Sequence, residues 1–356
     1  MRQPSSLVTT LRSSVETLFP GYFAMVMATG IVSIACHLHE MERFAWWLLF
    51  INIGSYIILW VLTLARIAFF TQRFTTDLAD HAKGPGFFTM IASTCVLGSQ
   101  LDLIAGNTTV ALYLLAFGLV LWTLITYSFY TAVTTKSLKP TIQRGLNGTW
   151  LIPIVGTQSI VVLGTILSDQ FGRFTEIVLF FTLSMYLFGV MLYILVMSLI
   201  FYRWTFVRMQ PNELTPPYWI NMGALAITTL ASATLILNAA RWEFLTEIMP
   251  FLKGMTLFTW AAGTWWIPLL FILGAWRHMV MRYPLRYDPQ YWSMVFPLGM
   301  YTTCTFQMAK AFGIDFIYSI PQYFIYLAIA GWLAAFLGLL VHLFNGLRVS
   351  TAKRGN

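Results

Sequence analysis

Runs of about twenty apolar residues recur along this 356-residue chain, each long enough to cross the hydrocarbon core of a bilayer as a helix. Only 10% of the residues are charged and 58% are hydrophobic, with a mean hydropathy of +0.72. A soluble domain carries about 25% charged residues, so composition excludes a soluble fold and points to a multi-pass integral membrane protein of the cell (inner or plasma) membrane. The spacing predicts an all-α fold of ten transmembrane helices, over Phe19–His37, Ala45–Phe70, Phe87–Ala105, Val110–Ala132, Thr149–Ser168, Ile177–Tyr202, Tyr218–Ala240, Phe251–Ala275, Trp292–Ala311 and Ile320–Leu343. The polar N-terminal stretch leads straight into a full-length span, a pattern that does not fit a cleavable leader. Sixteen of the 21 Lys and Arg residues fall in connections on one side and five on the other. The richer side is expected to be cytoplasmic, which puts both termini there. The expected organisation is one transmembrane domain over 1–356: a cytoplasmic segment 1–18, a ten-helix pore domain 19–343 and a cytoplasmic tail 344–356.

The net charge of +8 is scattered through loops and forms no patch, so a nucleic-acid partner is not expected. Cys36, Cys95 and Cys304 all lie within apolar runs and read as small packing residues. The "CHLH" run that contains His37 and His39 reads as an outer rim, not as a metal site, and no metal or cofactor is expected.

A repeat organises the spans. The odd-numbered ones read "FPGYFAMVMATGIVS", "GPGFFTMIASTCVLG", "LIPIVGTQSIVVLG", "PPYWINMGALAITTLA" and "FPLGMYTTCTFQMA". Each has a proline at or near its cytoplasmic end, Pro20, Pro85, Pro153, Pro217 and Pro297, at intervals of 65, 68, 64 and 80 residues. Small and hydroxylated residues follow each one. The even-numbered runs are bulkier and are read as unbroken by proline. A proline inside a helix frees a carbonyl, and small residues let backbones approach closely in membranes. Loosened backbone at depth is tolerated where it packs on protein or lines a cavity. The pattern therefore predicts five helical hairpins in quasi-fivefold arrangement, with the odd helices kinked around a central pore and the even helices outside.

These motifs, above all "FPGYFAMVMATGIVS" and the "FP" of helix 9, resemble the tellurite-resistance/dicarboxylate transporter family over about residues 15 to 345. That family includes plant slow-type anion channels, fungal malate permeases and sulfite efflux pumps. The resemblance implies ten helices as five hairpins, a homotrimer with one pore per subunit, and a pore-occluding phenylalanine just before the kinking proline of helix 9. Here that residue is Phe296, followed by Pro297.

Helix 9 also speaks for itself. Phe296, Met300, Thr303, Gln307 and Lys310 share one helical face. Gly21 of the opening stretch, Thr89 and Ser93 of helix 3, Gly156 and Thr157 of helix 5, and Asn221, Thr228 and Ser232 of helix 7 complete the expected lining. His37, Asp102 and Lys310 are placed at an outer vestibule. No ionisable residue is expected near the middle of a span, and intramembrane carboxylates are the usual sign of proton relays and cation paths. The reading is an anion pathway gated by a phenylalanine, a channel or uniporter for small inorganic anions or dicarboxylates. A proton-coupled carrier of C4-dicarboxylates such as malate, or a sulfite or tellurite exporter, is the competing reading. A membrane enzyme is not expected, because no nucleophile, base and metal-ligand cluster lies at membrane depth.

Overall fold

The computed structural model describes residues 12–352, with side chains through residue 345. Residues 1–11 of the expected cytoplasmic segment, and 353–356 of the tail, lie outside the described residues. Among the described residues there is no strand, and ten helices run for fifteen residues or more. They are α1 (Ala24–Leu38), α2 (Glu42–Phe69), α3 (Phe88–Ala105), α4 (Thr108–Thr135), α5 (Ile152–Ile166), α6 (Thr175–Phe206), α7 (Ile220–Leu237), α8 (Met249–Ala275), α9 (Trp292–Phe312) and α10 (Ser319–Ala352). Eight helical stretches are long and apolar enough to cross a membrane. One of them, Gly148–Phe206, contains both α5 and α6, and α9 is not among the eight.

Burial separates two populations. In the most apolar window of Pro216–Leu237, which contains α7, 94% of residues are buried; in the window of α8 only 22% are. The odd helices are thus enclosed by protein. The even helices present Phe50, Ile58, Val61, Leu124, Ile177, Phe180, Ile272 and Leu337 outward. In water such a surface would aggregate; in a bilayer it is the lipid-facing coat.

Each even helix packs on the odd helix before it, and the odd helices pack on one another in the order α1, α3, α5, α7, α9 and back to α1. Aromatic donors stitch each hairpin to the next. The Tyr56 and Thr94 hydroxyls are bonded at 2.9 Å between α2 and α3. Trp122 Nε1 donates to Thr157 Oγ1 at 2.9 Å, from α4 to α5. Tyr193 Oη donates to the Asn221 carbonyl at 3.2 Å, from α6 to α7. Trp260 Nε1 donates to Thr305 Oγ1 at 3.0 Å, from α8 to α9. Trp332 Nε1 donates to Thr29 Oγ1 at 2.9 Å, from α10 back to α1.

The odd helices all begin in the same way, in a tight 3-10 turn: Pro20–Phe23, Gly84–Phe87, Gly148–Leu151, Pro216–Trp219 and Pro289–Tyr291. These turns touch in sequence and close a second ring at the helix N-termini. Glycine makes the approach possible. A Cβ on Gly148 would stand 2.4 Å from the backbone of Pro217, and one on Gly86 would stand 3.1 Å from the backbone nitrogen of Gly21.

This arrangement corrects the expected register of prolines. Pro20, Pro85 and Pro217 start tight turns ahead of their helices, where a fixed φ and a missing N–H cost nothing. Pro153 sits in the first turn of α5. Of the five, only Pro297 lies inside a helix, and Pro289 occupies the turn position in the fifth unit. The repeated element is therefore the turn, not a kink. The even helices are not free of proline either, since α8 carries Pro268.

At the same end, Arg66 of α2 is buried and paired with Asp77 of the short helix Thr71–Leu78, and Lys83 reaches the same carboxylate at 3.0 Å. Partial burial pushes the Asp77 carboxyl up, but the bonds from Arg66 and Lys83 outweigh it and hold the group below the usual carboxylate range.

Candidate functional site

A cavity of about 300 Å³ opens among the C-terminal halves of all five odd helices. Its polar lining comes from Ser99 of α3, Ser159 of α5, Thr234 of α7, Asn238 just after α7, and Thr303, Gln307 and Lys310 of α9. Lys310 is the sole ionisable side chain in that lining. Gln307 Oε1 is buried without a hydrogen-bond partner, which leaves the amide of a cavity-lining residue free to reorient toward a ligand. Thr303 Oγ1 donates to the Gly299 carbonyl at 3.1 Å and keeps its lone pairs free. Ile31, Val96, Ile227, Leu230 and Met300 make the apolar part of the wall.

The opposite end holds a second cavity of about 530 Å³, built on the residues that precede the five turns. Phe19, Lys83, Asn147 and Thr215 cap four of those turns and Gln290 lies within the fifth, and all five line it. Arg144 and Arg203 add positive charge, and Glu213 is the carboxylate in the lining, 3.6 Å from Arg203. Arg203 is almost fully buried and bonded to the Leu146 carbonyl and the Tyr218 hydroxyl, so its charge is fixed in place. No residue lines both cavities.

The two mouths differ in electrostatics. Helix N-termini carry partial positive charge and C-termini partial negative charge. Five N-terminal turns converge on the basic mouth and reinforce it. Five C-termini surround the other cavity, where Lys310 opposes their field. Arg241 compensates at one of them: its guanidinium donates to the Ile166 carbonyl at 3.2 Å and to Ser168 Oγ at 2.9 Å, at the end of α5.

Of the expected lining, Thr303, Gln307 and Lys310 border the C-terminal cavity. Thr157 and Ser232 do not, because they face neighbouring helices: Thr157 accepts from Trp122, and Ser232 accepts from Thr256 Oγ1 at 2.9 Å. Gly156 lies against Phe88 and Ile91 of α3, where its missing side chain admits the neighbouring helix. Thr89, Ser93 and Thr228 bond carbonyls of their own segment, those of Gly86, Met90 and Ala224. Gly21 belongs to the ring of turns. Asn221 is fully buried, and neither side-chain polar atom has a partner. His37 Nδ1 lies 2.8 Å from the Glu42 carboxylate, and Asp102 accepts from Thr108 Oγ1 at 2.7 Å. Both close hairpin loops and neither lines either of these two cavities. Phe296 is fully buried, one helical turn from Met300 on the side of the ring of turns, and borders neither cavity.

The lining residues missed from sequence are Ser99, Ser159 and Thr234. The signal lay in depth more than in periodicity. Gln307 and Lys310 end α9, so the polar residues that end the other odd helices share their level. The three cysteines are free and buried, and no group of potential metal ligands occurs among the described residues.

Residues 17–340 match the model of a family described as voltage-dependent anion channel, SLAC1. An uncharacterized transporter of Methanocaldococcus jannaschii is 27% identical over 313 residues, covering 85% of this chain and 87% of its own. A second uncharacterized transporter of that organism is 24% identical over 316 residues, covering 86% of this chain and 89% of its own. An uncharacterized membrane protein of Mycobacterium tuberculosis is 39% identical over 153 residues, covering 43% of this chain and 77% of the mycobacterial protein.

Proposed function

This chain belongs to the voltage-dependent anion channel family, SLAC1, and we propose that it conducts small anions through a pathway along the axis of the odd helices. In this reading all ten helices cross the bilayer as five hairpins in quasi-fivefold arrangement. The basic mouth is cytoplasmic, and both termini lie on that side. The assembly is a homotrimer with one pathway per subunit, and no cofactor takes part.

The observation that carries the proposal is the makeup of the C-terminal cavity: it takes residues from all five odd helices, and its sole ionisable side chain is a lysine. An anion entering it exchanges water for the Lys310 ammonium and the amides of Asn238 and Gln307, and for the hydroxyls of Ser99, Ser159, Thr234 and Thr303 once these rotate away from the helix carbonyls to which they now donate. Stripping water from a charge without such replacement costs several kcal/mol or more. No carboxylate, the usual intramembrane proton relay, stands in that lining, which favours an uncoupled channel or uniporter over a proton-coupled dicarboxylate carrier. Between the cavities the path is shut, and Phe296 is assigned as the plug.

The test is electrical. Purified protein in planar bilayers under a potassium chloride gradient is expected to reverse near the chloride equilibrium potential, and a chloride, nitrate, sulfite and malate panel in proteoliposomes then ranks substrates. Reversal near the potassium potential rejects the proposal. Flux that saturates and requires a proton gradient assigns the chain to the carrier class instead.

A further inference from the structure

The α8 helix ends in one π-helical turn, Trp276–Val280, which carries Arg277. Such turns are rare and concentrate at functional sites. Arg277 is 8% exposed, yet it has no carboxylate within ion-pairing distance among the described residues. Its Nε is buried without a hydrogen-bond partner, and its guanidinium lies 4.4 Å from the centre of the Tyr283 ring. Of the other two buried arginines among the described residues, Arg66 pairs with Asp77, and Arg203, although its Nε is also unpartnered, bonds the Leu146 carbonyl and the Tyr218 hydroxyl and lies 3.6 Å from Glu213. Asp288, in the loop that follows the π-helical turn, accepts from the Gln290 backbone N–H at 2.8 Å and makes no ion pair with Arg277. A buried cation with an unmet donor is costly, so the site is built for an anion that the chain does not supply.

Arg277 lines the head of a groove of about 170 Å³. The remaining wall is mostly apolar, including Trp219, Leu270, Leu273, Leu285 and Met294. Phe271 and Ile272 of α8 are exposed beside it, so the groove adjoins the lipid-facing surface. His278 lies in the same wall, while Arg282 and Arg286 stand exposed in the loop that follows. The groove shares no residue with the C-terminal cavity and only Thr215 with the basic one, so it is not a branch of the pathway.

We infer that this groove is a binding site for an anionic phospholipid, whose phosphate bonds Arg277 and whose acyl chain lies along Leu270, Leu273 and Met294. The inference requires only that the chain sit in a membrane, and it stands or falls apart from anion conduction. A guanidinium recognises a phosphate through charge-assisted, bidentate bonds. Basic pockets between membrane helices at the interface are suited to lipid headgroups. The apolar wall selects an amphiphile over a free phosphate, which has nothing to place against it.

Native mass spectrometry of the full chain in detergent, with phosphatidylglycerol or phosphatidylcholine added, tests the site. Both lipids present a phosphate, but the choline ammonium of phosphatidylcholine cancels its charge and is repelled by the guanidinium, so phosphatidylglycerol is expected to be retained about tenfold more strongly. Arg277→Gln should abolish that preference, and Arg277→Lys should keep most of it. Leu273→Trp, which fills the groove and leaves the charge, should reduce retention of both lipids. The Lys and Trp variants decide the matter if Arg277→Gln does not fold. Inorganic phosphate at millimolar concentration should not displace the lipid. Equal retention of the two lipids by the unmodified chain, preference surviving Arg277→Gln, or displacement by inorganic phosphate with Leu273→Trp inert would overturn the inference.

Discussion

Phe296 and Lys310 lie on one face of α9, and they are proposed to do opposite things to an anion. The Phe296 ring offers no donor and is closed in on every side. On the proposed pathway an ion could not pass it with its hydration intact, so conduction would require the ring to move. Phe296→Ala is then expected to raise basal anion conductance well above that of the unmodified protein. Because the ring is fully buried, the same change leaves a cavity and should cost about 3–5 kcal/mol of stability. Phe296→Leu, which keeps most of the volume, should conduct at an intermediate level with a smaller loss. Single-channel recording alongside thermal melting separates the two effects. A well-folded Phe296→Ala protein with unchanged conductance would place the constriction elsewhere. Lys310 sits at an exposed mouth, where charge acts at a distance. Lys310→Glu should reduce flux strongly at low ionic strength and weakly at high, since the Debye length is about 10 Å at 0.1 M. Equal reduction at both ionic strengths would mean that the lysine acts through packing.

The ring of 3-10 turns is the element that joins the odd helices, and it is backbone against backbone. Gly148→Ala would drive a Cβ into the Pro217 carbonyl carbon, and backbone cannot step aside as a flexible side chain can. A loss of about 1–3 kcal/mol is expected, read as a lower melting temperature in detergent. Gly254→Ala, where a Cβ meets nothing, is the matched control. Nearby, Asp77 anchors the short helix Thr71–Leu78 to α2. Its carboxyl is held low by Arg66 and Lys83, so its contribution to stability is full above the unfolded carboxylate range and is lost as pH falls through the lowered folded value. Asp77→Asn should lower the melting temperature at pH 7 and flatten the acid limb of the stability curve. The location of most of these helices was legible from hydropathy, because a span must be apolar for about twenty residues whatever it packs against, whereas α9 falls short of that mark and was placed by the repeat. The recurring start of the odd helices was legible too, but the register of its prolines was not. Proline marks both the first turn of a helix and a kink within one, and the letter does not tell Pro20 from Pro297. Part of the expected lining lies away from the C-terminal cavity for a related reason. Thr157 and Ser232 are small and polar, as a pore requires, and equally suited to accept a hydrogen bond from the next helix, which is what they do.

At the scale of the whole molecule, ring closure is a property no hairpin has alone. The bond from Trp332 to Thr29 joins residues 303 apart, and the contact of α9 with α1 likewise spans most of the chain. Four of the five inter-hairpin bonds link neighbours in sequence and can form as each hairpin arrives. The fifth must wait for α10, so the cavity has no complete wall until the last hairpin is in place. Contacts of such separation form late, after the entropy of closing the longest loop has been met. A double-mutant cycle isolates the closing bond. Trp332→Phe and Thr29→Val should each destabilise, and together by less than the sum, with a coupling of about 0.6 kcal/mol and at most about 1.7, the range for hydrogen bonds between membrane helices. The same cycle on Trp122 and Thr157 should give a similar coupling, because the chemistry is the same. The consequences should differ: loss of the closing bond is expected to raise hydrogen exchange in α1, α9 and α10 together, while loss of the Trp122 bond should stay within α4 and α5. Exchange confined to α10 after Trp332→Phe would mean that packing between α9 and α1 holds the ring shut without it.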